Sequence, residues 1–340
     1  MDASNYALSA LATLGILVAA VLLALLRRWL AGETDAAFRL ELVGVMLAGV
    51  VTAAALFALT GVPGLFFGPV TALGALFAVL ATVGIRSRGR RLWPTLLFVV
   101  LMTALVFAPV AAIVFGSWFD PFGTGLGYLD LGGSLTALVG GGVVALAVAF
   151  VERGARHPLP RPGFSWLAVG GAIALLVAVL AWSFGIELAI DEVTPSILRN
   201  TALMGLAGAA TGSLVERLRH RQNTASASIL GLIAGLSAAV PASAYLTMSL
   251  AILVGLLAGA LAALLPRAGT TVLVASAVVG SSLSMVLLGA LAQNISFIYT
   301  GQPEVLFGQV LGVVIAALLA GVVGGGAWAA LRRWPERVGR

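Results

Sequence analysis

Eleven stretches of this chain are long and apolar enough to cross a lipid bilayer as helices, and that decides its class of fold. They fall at about 6–26, 39–60, 65–84, 93–115, 131–151, 165–186, 196–215, 226–244, 247–265, 270–292 and 305–331. A hydrocarbon core of about 30 Å takes roughly 20 apolar residues in a helix, which bonds every backbone group within its own segment. Period-two alternation is missing, which excludes a membrane β-barrel. Only 9% of the 340 residues are charged, against roughly 25% in a soluble domain. The sequence predicts an all-α polytopic membrane protein built as a single transmembrane domain over residues 1–340.

The charges are as ordered as the apolar residues. All 19 basic residues are arginine. Arg27/Arg28/Arg39, Arg86/Arg88/Arg90/Arg91, Arg153/Arg156/Arg161, Arg217/Arg219/Arg221, Arg267 and Arg332/Arg333/Arg337/Arg340 cluster in alternate loops. The loops between them carry Asp120, then Glu187, Asp191 and Glu192, then Glu304. Basic residues mark cytoplasmic loops, so the N-terminus is predicted outside and the C-terminus in the cytoplasm, in the cell membrane. Eleven spans satisfy the odd count which that topology needs. The net charge of +6 is then a cytoplasmic face among membrane lipids. It is not a nucleic-acid surface, because no basic module with interleaved aromatics accompanies it. Arg199, the one basic residue beside the outer acids, is expected to pair with Glu187, Asp191 or Glu192. The opening MDASNY lacks a basic segment, so the first span is expected to be retained rather than cleaved.

Chemistry-bearing motifs are sparse. With Cys 0, disulfides and thiolate chemistry are excluded. No carboxylate pair at catalytic spacing, metal-ligand cluster, phosphate loop or nucleophile elbow occurs, so neither an enzyme, a metal site nor a cofactor is expected.

The longest polar interruption, Glu152–Gly163, divides five spans from the following six. Two successive sets of five helices must run in opposite directions through a membrane, the topology of an inverted repeat. The expected halves are 5–152 and 164–292, with an eleventh helix over 305–332. A short internal echo accompanies them: Gly132-Gly133-Ser134-Leu135-Thr136 against Gly280-Ser281-Ser282-Leu283-Ser284. Gly205, Gly208 and Gly212 form one small-residue stripe, and Gly308 with Gly312 another. Such stripes let helix backbones approach, as ordinary packing, a pore wall or a subunit interface.

Four segments carry a resemblance. Phe107-Ala-Pro109-Val-Ala111 is followed by Phe115 and Gly116. Tyr128-Leu-Asp130-Leu-Gly132-Gly133 opens the fifth span. Asn200-Thr201 begins a run to Glu216-Arg-Leu-Arg219-His220. The strongest is Gly231-Leu-Ile-Ala-Gly235-Leu-Ser-Ala-Ala-Val-Pro241-Ala-Ser-Ala-Tyr245, continuing as Gly255-Leu-Leu-Ala-Gly259. In this order and spacing they resemble the ammonium transporter family (Amt/Mep/Rh) over about residues 60–332. The resemblance implies a homotrimer in which each subunit encloses a narrow apolar pore between its five-helix halves. It also implies an outer aromatic and serine vestibule, a phenylalanine gate, and two facing histidines that handle ammonia and its proton.

At the histidine positions this sequence departs from the family. Eight residues after Asp130 stands Leu138, and two after Gly280 stands Ser282. The only histidines, His157 and His220, lie in arginine-rich loops. An ammonium ion stripped of water in an apolar pore is heavily penalised. Facing imidazoles relay protons near neutral pH; Leu138 offers no polar atom, and a Ser282 hydroxyl does not titrate there. Ser282 reads either as a pore residue or as a hydroxyl bonded to its own helix's carbonyl four residues back. The vestibule is replaced by Trp182-Ser183-Phe184-Gly185-Ile186-Glu187. Phe115 reads as a cation-attracting ring at the outer mouth or an interfacial anchor, and Phe67 matches the gate position. Asp130 reads as a helix N-cap, structural near the pore together with Pro241. The resulting expectation is a channel for ammonia or another small neutral solute such as carbon dioxide. The alternative is a non-conducting structural or sensory membrane subunit that kept the fold and lost the transport site.

Overall fold

The computed structural model describes residues 3–31, 37–60, 64–85, 92–115, 121–123, 127–152, 165–221, 224–266 and 271–332. Among these, eleven long helices stand where the apolar stretches predict them. They are α1 (Ala3–Ala31), α2 (Ala37–Thr60), α3 (Gly64–Thr82), α4 (Leu92–Phe115) and α5 (Leu135–Glu152). After the polar linker come α6 (Trp166–Ile186), α7 (Thr194–His220), α8 (Ala225–Ala242), α9 (Met248–Leu264), α10 (Thr271–Leu291) and α11 (Glu304–Leu331). Nine of the described helices are long and apolar enough to cross a membrane. The exceptions are α9, at 17 residues, and α7, which carries Arg199, Glu216, Arg217 and Arg219.

Packing follows the expected repeat. In the first half α3 lies against α1, α2 and α5, and α2 against α4. In the second half α8 lies against α6, α7 and α10, and α7 against α9. The two halves meet through α1 on α6 and α5 on α10, each helix pairing with its own counterpart. That is the contact pattern of a pseudo-twofold.

Lipid tails are as apolar as leucine, so helices in a membrane associate through close packing and hydrogen bonds. The required intimacy comes from glycine. Gly15 abuts the backbone of Ala178 and Trp182, and Gly185 that of Leu8 and Ala12, where α1 crosses α6. Gly49 meets Gly74 between α2 and α3; Gly208 and Gly212 meet Gly231 between α7 and α8. A side chain at these positions would strike backbone.

The two central helices each contain a proline, Pro69 in α3 and Pro241 in α8. Proline has no N–H and leaves the carbonyl four residues back without its helical partner. Both carbonyls are recovered by serines of neighbouring helices. Ser9 Oγ of α1 donates to Leu65 O at 2.5 Å, and Ser281 Oγ of α10 donates to Ser237 O at 3.1 Å. A bend that would leave a bare carbonyl in hydrocarbon thus becomes a helix-to-helix joint.

Candidate functional site

The approach to α5 gathers several buried polar contacts. Asp130, 7% exposed, accepts from the N–H groups of Ser134 (2.9 Å) and Leu135 (2.8 Å), the first donors of the helix. Burial pushes its pKa up to about 6, while the backbone donors pull downward; at neutral pH it is a carboxylate. Around it, three helices hold the segment 128–133 by its backbone. Leu131 N–H donates to Pro241 O at 3.3 Å, and Trp182 Nε1 of α6 to Gly132 O at 3.1 Å. Gln309 of α11 turns its carboxamide to both backbone groups of Leu129, at 2.8 and 3.2 Å. Tyr128 reaches Met285 Sδ of α10 at 3.3 Å, its ring lying on Gly312.

An aromatic cluster sits on this collar. Phe115 ends α4 with its ring tip over Gly133 and 6.3 Å from the ring of Phe66. Gly133 has φ +71°, and a Cβ there would lie 2.8 Å from Phe115 Cζ. Only glycine satisfies both demands. Phe67, the residue singled out from sequence, is half-buried, and its neighbour Phe66 is the one whose ring meets Phe115. Trp182 is 1% exposed and used up holding Gly132, while Phe184 is half-buried.

Below the collar α5 begins with a wide π turn, Leu135–Gly140, and α4 has another at Thr103–Phe107 that touches it. Such turns occur often at functional sites. Phe107, from the α4 turn, packs tilted against Phe77 with centroids 5.5 Å apart, and Phe77 rests on Gly141.

Leu138 lies in the α5 turn and Ser282 on α10. Gly142 packs against Val278. The two helices belong to opposite halves and run antiparallel, so one turn from that contact toward the start of α5 and the end of α10 reaches Leu138 on α5 and Ser282 on α10. Two positions 144 residues apart therefore come to one level on facing helices. Their states differ. Leu138 is 2% exposed. Ser282 is partly open, whereas Ser281 and Ser284 are buried and bonded to α8 at Ser237 O and Ala238 O. Ser276 bonds back to Val272 O, four residues earlier in its helix; no such bond holds Ser282 among the described residues.

One expected pairing is corrected. Arg199 forms no ion pair with Glu187, Asp191 or Glu192; its guanidinium donates to Asn200 Oδ1 and Ser196 Oγ, both at 3.4 Å. The acids serve the start of α7 instead. Asp191 Oδ1 accepts from Val193 N–H at 2.8 Å, and Glu187 accepts from the Thr194 hydroxyl at 3.3 Å. Burial and Asp191 raise the Glu187 pKa. Asn200 was read only as a motif residue; its amide caps the end of α8 through Ser243 O (2.9 Å) and Leu246 O (2.8 Å). His157 and Asp120 lie outside the described residues.

Residues 44–338 match the Ammonium Transporter Family. The chain belongs to this family. The ammonium transporter of Bacillus subtilis (strain 168) is 32% identical over 177 residues, covering 50% of this chain and 43% of that protein; the match spans less than half of that relative's length. Saccharomyces cerevisiae Mep2 superposes with a TM-score of 0.82 at 19% identity, covering 98% of this chain and 86% of that one. A protein described as a sensor Amt protein also gives 0.82 at 17% identity, covering 98% and 94%. At such identities the structures share the fold. Leu138 and Ser282, the positions where the resemblance implies histidines, stand on the facing helices α5 and α10. Tyr128, Phe66 and Gln309 were not recognisable as site residues beforehand, since no spacing rule joins positions so distant in sequence.

Proposed function

We propose that this protein is a membrane channel that passes ammonia, or another small neutral solute such as carbon dioxide, between α5 and α10. The observation that carries the reading is the Ser282 hydroxyl, partly open, without a hydrogen bond among the described residues, and level with Leu138. One polar atom facing an apolar wall suits a neutral molecule that exchanges single hydrogen bonds. It does not suit a bare cation, whose desolvation would go uncompensated. Phe115 and Phe66 form the outer mouth in this reading, Phe67 the gate position, and Trp182, Asp130 and Pro241 the frame. The alternating arginine loops support an outer N-terminus and a cytoplasmic C-terminus in the cell membrane. A homotrimer with one pore per subunit accompanies the family resemblance. The exposed leucines of α7, Leu206, Leu214 and Leu218, share a helix with four charges, a face better covered by protein than by lipid.

A non-conducting structural or sensory subunit is the second reading. The burial of Leu138 to 2% favours it, since a side chain in that position plugs a path as well as it lines one. Stopped-flow alkalinisation of proteoliposomes under an ammonium gradient separates the two. The channel predicts rates above those of protein-free vesicles that Ser282→Phe abolishes. The scaffold predicts rates equal to protein-free vesicles for both.

A further inference from the structure

We propose that α11, the helix outside the five-plus-five repeat, is a splint that sets the position of α5, with Trp328 and Glu152 as its inner fastening. Its effect on solute flux rests on the channel reading; the fastening itself does not.

The two helices touch along their whole length. At the outer end Gln309 holds Leu129, and Gly312 carries the ring of Tyr128. In the middle Gly321 faces Val143, Gly324 faces Val144 and Gly325 faces Ala147. At the inner end Trp328, 1% exposed, donates its indole N–H to Glu152 Oε1 at 2.6 Å. The same ring stands edge-on to Phe98 of α4, with centroids 5.1 Å apart. Arg332 donates to Val151 O at 2.6 Å, satisfying a carbonyl in the last turn of α5 that has no partner within the helix.

Such external fastening matters for α5 in particular. Its first turn, Leu135–Gly140, departs from regular α-helical bonding, so its own ladder determines its axial position less firmly. A short hydrogen bond to a carboxylate is directional and strong, and it fixes the rotation and height of the helix end together. Fourteen residues separate Leu138 from Glu152, about 21 Å of helix. A helix transmits displacement along its axis, so slackening at Glu152 moves Leu138 relative to Ser282. Trp328 and Glu152 are thus positioning residues.

The test exploits a chain without cysteine. A Cβ built on Gly325 lies 3.7 Å from Ala147 Cβ, inside the roughly 3.5–4.5 Å span of a disulfide. The full-length Ala147→Cys/Gly325→Cys protein is reconstituted and oxidised with copper phenanthroline, with and without Trp328→Phe, which keeps the ring on Phe98 and removes only the N–H. The splint predicts that Trp328→Phe slows both disulfide formation and ammonia-driven alkalinisation by about tenfold, the ratio equivalent to one charged hydrogen bond. Once formed, the cross-link restores the flux, and dithiothreitol removes it again. Glu152→Gln, which keeps an acceptor, stays within about twofold, and Glu152→Leu matches Trp328→Phe without adding to it. Unchanged cross-linking in Trp328→Phe, or lost flux that the cross-link does not restore, would overturn the splint. If the parent protein fails to conduct, the channel reading falls, and the cross-linking rate alone decides the splint.

Discussion

The N-terminal end of α5 and its middle are built on opposite principles. Where the chain enters α5, the side chains of Asp130, Trp182 and Gln309 each bond buried backbone groups between Leu129 and Leu135. Removing any of them leaves a buried donor or acceptor bare, which costs about 1–3 kcal/mol. In the middle, neither Leu138 nor Ser282 is held by a side-chain hydrogen bond among the described residues, and neither holds anything else by one. The difference explains how a family frame survives where its titratable pair does not. The collar is bound into the fold, whereas the central pair is not, and in the proposed channel exchanging it would alter what passes rather than what stands.

The largest expected effect breaks the collar. Asp130→Ala leaves two buried N–H groups unpaired and is predicted to cost about 3 kcal/mol or more, read as lost monodisperse protein or a lower Tm in detergent. Asp130→Asn retains an acceptor and loses less. The raised pKa adds a sign. Folded Asp130 holds its proton up to about pH 6, against about 3.8 for an ordinary aspartate. The stability added by that proton is therefore present below pH 3.8 and lost as pH rises toward 6, while the hydrogen bonds to Ser134 and Leu135 remain. A Tm profile of Asp130→Asn should lack that descent.

Next comes the centre. Leu138→His with Ser282→His should leave the Tm within a few degrees while adding current that accompanies ammonium and follows imidazole protonation near pH 6.5. A collapse of the fold in this variant would refute the exchangeability of the central pair.

Adjacent serines give a finer contrast. Ser281→Ala strips the only side-chain partner shown for the carbonyl freed by Pro241 and should cost about 1 kcal/mol. Ser282→Ala should cost under about 0.5 kcal/mol while changing flux. Thermal unfolding and alkalinisation, measured on both, should move in opposite order.

Much of the frame is legible in sequence because hydrocarbon imposes uniform demands. Apolar length gives the spans, arginine spacing their alternation, and the Asp130-Gly132-Gly133 run the start of α5. What is not legible arises from contacts between distant segments. The serine that completes Pro241 lies 40 residues away, and Gln309 lies 180 residues from Leu129. Phe67 was the gate candidate by resemblance, and nothing in the sequence shows that its neighbour Phe66 is the ring that meets Phe115. Arg199 looked like an acid's partner because charge order along a chain does not reveal that capping α7 already employs Asp191 and Glu187. The π turn around Leu138 has no sequence signature comparable to a cap or a proline.

The most direct test of the central claim records internal pH and charge movement together, in proteoliposomes given an ammonium pulse. A neutral pathway between Leu138 and Ser282 predicts faster alkalinisation than protein-free vesicles with no accompanying current. Current that scales with the ammonium pulse would contradict it, requiring a cation or proton path that these two side chains do not provide.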